Sequence, residues 1–223
     1  MTDAAAVPPR HYPTPAAKCA DLVVHLTGLV LALFGGGLML GLAVAAGGAG
    51  KIAAAGVFAA GLLAMLAFST AYNFGKAPWR PLLRRLDHAG IFLMIAASYT
   101  PFTTQVLQGA WAWGMTAAVW TIALLGVAGK LLLPGLGRKV WIGVYLAFSW
   151  LVVVALQPMA AALSLAGLIL LAVGGLAYTT GVVFYVQKRF KYARAVWHGH
   201  VIAGAGAHWA AVLVGVVLTS PGA

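Results

Sequence analysis

Apolar residues in this chain gather into runs of about 20, long enough to cross a hydrocarbon layer of about 30 Å as a helix. The polar positions shrink to short breaks at Gly47-Gly48-Ala49-Gly50, Gly75 to Pro81, Pro134-Gly135-Leu136-Gly137, Gln157-Pro158 and Gln187 to Arg194. The pattern predicts seven spans, near Asp21–Ala46, Ile52–Tyr72, Leu86–Leu107, Trp111–Leu133, Val140–Gln157, Ala160–Val186 and Ala195–Thr219. Alternating strands of roughly ten residues, the mark of a membrane barrel, are missing from it. The expected fold is an all-α integral membrane protein: a seven-transmembrane helix bundle over residues 21–219 behind a polar, proline-rich segment at 1–20.

Composition agrees, since 63% of residues are hydrophobic and only 8% charged, whereas a soluble surface needs about a quarter charged. The net charge of +11 would suit a nucleic-acid partner, but its placement in short clusters between spans excludes that reading and points to membrane lipids. With the N-terminus cytoplasmic, the inside holds Arg10, Lys18, Lys76, Arg80, Arg84, Arg85, Lys130, Arg138, Lys139, Lys188, Arg189, Lys191 and Arg194, and the outside only Lys51. That bias sets the N-terminus in the cytoplasm and, with an odd number of spans, the C-terminus outside. The lone Cys19 excludes an internal disulfide and a cysteine zinc cluster. The residues up to Pro15 carry no apolar signal-peptide core, so the expected location is the cytoplasmic (inner) membrane.

Within so apolar a chain the polar side chains stand out. There are three acidic residues, and Asp87 is the only one beyond Leu22; an acid beside a hydrocarbon span normally faces the bundle interior and finds a partner. The topology brings the end of the second helix (Ser69, Asn73), the start of the third (Asp87, His88) and the start of the seventh (Arg194, His198) to one cytoplasmic depth. Ser69 and Asn73 share a helix face, as do Arg194 and His198. His208 lies about 15 Å deeper than His198, and His200 points nearly opposite it. His25 completes the candidate cluster. Residue chemistry alone leaves its role open; a lone membrane histidine such as His25 or His208 is more often a hydrogen-bonded packing residue than a ligand, and Arg84 and Arg85 read most simply as a headgroup anchor.

At these residues the chain resembles the hemolysin III family, the bacterial branch of the progestin and adiponectin receptor (PAQR) superfamily. The resemblance is carried by Asp21-Leu22-Val23-Val24-His25, by Ser69-Thr70-Ala71-Tyr72-Asn73, and by Arg84 to Ile91 running into Ser98-Tyr99-Thr100-Pro101-Phe102. It continues through Gly175 to Tyr185 and through Trp197-His198 with His208-Trp209. It implies a seven-helix bundle and a zinc ion near the cytoplasmic face, held by three histidines with the third-helix aspartate beside the metal-bound water. Related ceramidases use such a site to hydrolyse an amide.

This chain departs from that pattern at two of the three ligand positions, which hold Asn73 and Arg194; His198 alone is retained. Asparagine is a poor zinc ligand and arginine a permanent cation, so no tightly bound zinc is expected. Arg194 is expected instead to neutralise Asp87 by a bidentate pair; a rearranged metal site using His198, Asp87 and His208 or His25 is the alternative. The leading reading is a non-catalytic role in membrane homeostasis or lipid sensing. A hydrolase of lipid amides or esters, with Asp87 and Ser69 in its site, is the second, and a pore-forming hemolysin or channel the third. The helices are polar at one end only, which suits a cytoplasm-facing cavity better than a conducting path.

Overall fold

The computed structural model describes residues 11–133, 136–187 and 189–219. Arg10, half of the polar segment at 1–20, Pro134-Gly135, Lys188 and residues 220–223 lie outside the described residues. Among the described residues, eight α-helices follow in order: α1 (Pro15–Ala46), α2 (Ala49–Phe74), α3 (Arg80–Gln105), α4 (Gly109–Leu132), α5 (Arg138–Ser149), α6 (Leu156–Ala162), α7 (Leu165–Val186) and α8 (Ala193–Val212). No strand occurs among the described residues. Among the described residues, six segments are long and apolar enough to cross a membrane, with α5 and α6 counted as one. The segment outside that set is α3, whose first turns carry Arg80, Arg84, Arg85, Asp87 and His88; it nevertheless packs along α2 and α4 and buries Phe92, Met94 and Phe102.

Helix boundaries differ from expectation in three instructive places. The first helix starts at Pro15 rather than Asp21, because Thr14 caps it by accepting from the Ala17 amide at 3.1 Å and Pro15 occupies the first turn. The break expected at Gln157-Pro158 is absent: Pro158 sits in the first turn of α6, where its missing N–H costs nothing, and the chain turns at Leu163-Ser164, with Ser164 capping α7. The fifth segment is instead interrupted by a 3₁₀ stretch at Leu151–Ala155. The Tyr99 hydroxyl takes up the freed backbone there, donating to the Ser149 carbonyl at 2.8 Å and accepting from the Val152 amide at 2.8 Å. Such substitution of partners is what allows a helix to break at membrane depth.

The α1–α2 connection needs its glycines, since Gly47 and Gly48 have φ of 78° and 95°, a region costly for other residues. On α1 the inward face reads Ala17, Asp21, His25, Gly28, Ala32, Gly36, Met39 and Ala43, a row spaced by three and four residues. Val23, Val30, Leu33 and Phe34 are exposed on the outward side, as lipid contact requires. The inward row packs on α2 and α8; at Gly28 a Cβ would meet Ile202 Cδ1 at 2.8 Å, so glycine sets that approach. Helix α7 packs on α8, and α5 on α3, while α5 and α7 scarcely touch. The ring of helices is therefore loose between those two, which are bridged by Trp150 Nε1 donating to the Thr179 hydroxyl at 3.0 Å. Lys51 donates to the Thr219 carbonyl, which ties the last described residue to the start of α2.

Candidate functional site

The starts of α1, α3 and α8 and the end of α2 meet at one end of the bundle, and the segment before α1 folds over them. Asp21 is fully buried. Its Oδ1 accepts from His198 Nδ1 at 2.6 Å, and its Oδ2 accepts from the Tyr12 hydroxyl at 2.5 Å. One turn on, His25 Nδ1 meets the Asp21 backbone carbonyl at 2.8 Å. A carbonyl only accepts, so Nδ1 carries the proton, and Nε2 accepts from the Ser69 hydroxyl at 3.3 Å. Asp21, His25 and His198 thus offer ligand atoms within 4.8 Å of one another, a group that could hold a metal ion.

A second set of contacts lies beside the first. Asn73 donates to the Ser69 carbonyl at 2.9 Å, which turns its Oδ1 outward. Arg194 Nη1 reaches that oxygen at 3.1 Å and His11 Nε2 at 2.5 Å. A guanidinium only donates, so both atoms accept, and their own 3.1 Å approach is two acceptors sharing one donor. Burial and then the Arg194 charge push the His11 pKa down to about 4, which keeps that ring neutral. Burial and then the Asp21 carboxylate push the Tyr12 hydroxyl up, so it remains a donor. The Arg194 guanidinium lies 5.0 Å from the Tyr12 ring centre, within cation–π range.

The site differs from the expected cluster at several residues. Arg194 does not pair with Asp87, because its guanidinium is turned to Asn73 and His11 instead. Asp87 has no ion pair among the described residues and lines a cavity instead. His88 is engaged through its backbone carbonyl, which accepts from Tyr145 at 2.8 Å. His208 stands apart against α7, facing the Leu171 carbonyl at 3.3 Å and the Tyr178 ring, a packing role. His200 turns away to Val196 and Phe184, as its helical angle predicts. Asp21, Tyr12 and His11 were not among the sequence candidates. Asp21 had a signal, a rare acid four residues before His25; Tyr12 and His11 had none, since they precede the helix and reach the site by folding back.

Beyond this polar end runs a cavity of about 780 Å³. Tyr12, Asp87, His88, Arg194 and His198 line one end, and Met65, Met94, Phe102, Met115, Met159 and Leu171 line the body. Residues of α5 and α7, including Ile142 and Ala172, face it from both sides of the loose seam between those helices.

Comparison with known proteins agrees with this architecture. Residues 19–209 match the family described as Haemolysin-III related. The chain belongs to that family. The Hemolysin-3 homolog of Bacillus subtilis is 30% identical over 197 residues, 88% of this chain and 92% of the relative. Hemolysin-3 of Bacillus cereus is 29% identical over 204 residues, covering 91% and 93%. The human monocyte to macrophage differentiation factor is 28% identical over 165 residues, covering 70% and 67%. The chain is therefore a multi-pass membrane protein of the haemolysin III-related family.

A zinc ion at the family's implied ligand positions does not fit the residues present. Asn73 Oδ1 is occupied by a guanidinium, and a divalent ion about 4 Å from that group would meet repulsion of about 8 kcal/mol at an effective dielectric of 20. The neighbouring Asp21–His25–His198 group has donors of the right type, but Asp21 Oδ1 and His198 Nδ1 are 2.6 Å apart. Two ligands of one tetrahedral zinc stand about 3.3 Å apart. The shorter spacing is that of a direct charge-assisted hydrogen bond.

Proposed function

We propose that this haemolysin III-related protein is a seven-span protein of the cytoplasmic membrane, N-terminus inside and C-terminus outside, that holds a lipid without turning it over. The observation that carries the reading is the shape and lining of the cavity: charged groups gather at one end, and methionine, leucine and phenylalanine predominate along the rest, with a few neutral polar side chains such as Ser98, Thr103 and Thr179 among them. A volume of about 780 Å³ lies within the range of roughly 300–1,000 Å³ usual for small-molecule sites, enough for a single-chain amphiphile. Arg84, Arg138, Lys191 and Arg194 line its polar end against the single acid Asp87, which favours an acidic headgroup. The loose seam between α5 and α7 offers a path from the bilayer. Packing of α3 between α2 and α4 supports counting it as a seventh span despite its charged first turns, and the Lys51–Thr219 contact is what an odd number of crossings requires.

The test is saturable binding of a fluorescent fatty acid to protein in nanodiscs, with Ala172→Trp filling the cavity from α7. Binding that saturates and is weakened about tenfold or more by Ala172→Trp is the expected result. Absence of saturable binding, or binding indifferent to the filled cavity, would remove the proposal. A hydrolase is the second reading, favoured by one observation: Asp87 and Ser69 line the same cavity. Release of free acid from a fluorogenic acyl amide or ester, abolished by Asp87→Asn, would select it over simple binding.

A further inference from the structure

The two positions at which this chain lacks the ligands that its family resemblance implies, Asn73 and Arg194, touch one another. The third, His198, is bonded to a buried carboxylate on α1. All three positions are therefore spent on contacts within the protein, and two of them on a single contact across α2 and α8. We infer that the Arg194 guanidinium stands in for a metal ion as the cross-link of this cradle, and that the segment before α1 has become its fourth side.

The segment's part follows from what Arg194 lacks. One acceptor on Asn73 leaves most of a five-donor guanidinium unsatisfied. The structure supplies the His11 ring nitrogen as a second acceptor and the Tyr12 ring as a face for the cation. Tyr12 in turn donates to Asp21, the carboxylate that holds His198. Its ring stacks on Phe74 at 6.0 Å, and His11 packs edge-on against Tyr72 at 5.2 Å. Two side chains thus link the start of α1, the end of α2 and the start of α8 through hydrogen bonds and ring contacts where a metal would link them through coordination. A bound metal is lost to chelators and carries pH-dependent affinity; a guanidinium is covalently retained and charged at every relevant pH. The cradle should hold its shape under metal starvation.

The test measures zinc by elemental mass spectrometry, thermal unfolding with and without chelator, and amide exchange across residues 11–20. The proteins are wild type, Arg194→Met, and Asn73→His combined with Arg194→His, all full chains purified after growth with zinc. Wild type is expected to hold almost no zinc and to unfold at the same temperature with chelator. Arg194→Met should exchange at least tenfold faster over residues 11–20, and the double variant should gain about one zinc per chain and become chelator-sensitive. Stoichiometric zinc in wild type, with a chelator-dependent melting temperature, overturns the inference and assigns the metal to Asp21, His25 and His198. Unchanged exchange over residues 11–20 in Arg194→Met also overturns it. Both decisions stand on proteins other than the double variant, should that one fail to fold.

Discussion

Replacing Asp21 with alanine removes the acceptor that two buried donors share. Tyr12 Oη and His198 Nδ1 sit 2.5 and 2.6 Å from the carboxylate, and the residue has no exposure to solvent. A hydrogen bond to a charged partner is worth about 1.5–3 kcal/mol. Asp21 accepts two such bonds, and losing both comes to about 3–5 kcal/mol. Asp21→Ala should therefore destabilise by about 3–5 kcal/mol, which for a chain of this size lowers the melting temperature by roughly 10 °C. The assay is thermal unfolding in a fixed detergent, run as a double-mutant cycle with Tyr12→Phe. Tyr12→Phe should cost about 1.5–3 kcal/mol in wild type and close to nothing once Asp21 is gone. A shift below about 1 °C for Asp21→Ala, or equal Tyr12→Phe costs in both backgrounds, would refute the network as drawn.

Two further outcomes follow from the geometry. His11 has a folded pKa of about 4 against an ordinary value of 6.5, so the unfolded chain binds the extra proton between those values; the stability of the His11 contacts is complete above pH 6.5 and is lost as pH falls toward 4. The groups facing that ring are Arg194, Asn73, Tyr72, Tyr12, Asp21 and Arg80, and His11→Gln should flatten the fall in melting temperature between pH 6.5 and 4.5 relative to wild type, a difference whose absence would show that His11 does not titrate with unfolding. For topology, Cys19 is exposed near the start of α1, so a membrane-impermeant maleimide should label it in inside-out vesicles and not in intact cells. Lys51→Cys on a Cys19→Ser background should show the reverse, and labelling of both from one side would overturn the orientation.

What the chain determines by itself is its partition into lipid and water. Twenty-residue apolar runs, glycines at Gly47 and Gly48 and clustered arginines act locally, through transfer energy and backbone freedom, so class and most helix ends can be read from them. The sequence also shows which ligand positions are altered, because Asn73 and Arg194 fall inside recognisable motifs. Local signals are weaker where a distant side chain stabilises a break, as Tyr99 does between α5 and α6, and Pro158 alone then points to the wrong residue. The partners inside the site belong to tertiary structure. Arg194 had one acid in view from the sequence, Asp87, on the helix that periodicity placed at the same depth. Packing sets α8 beside α1, so Asp21 takes His198, and Arg194 reaches across to Asn73 on α2 and to His11 and Tyr12 before α1. Depth along the bundle axis is fixed by counting residues, whereas azimuth around it is decided only when glycine faces such as Gly28 on Ile202 choose which helices come close.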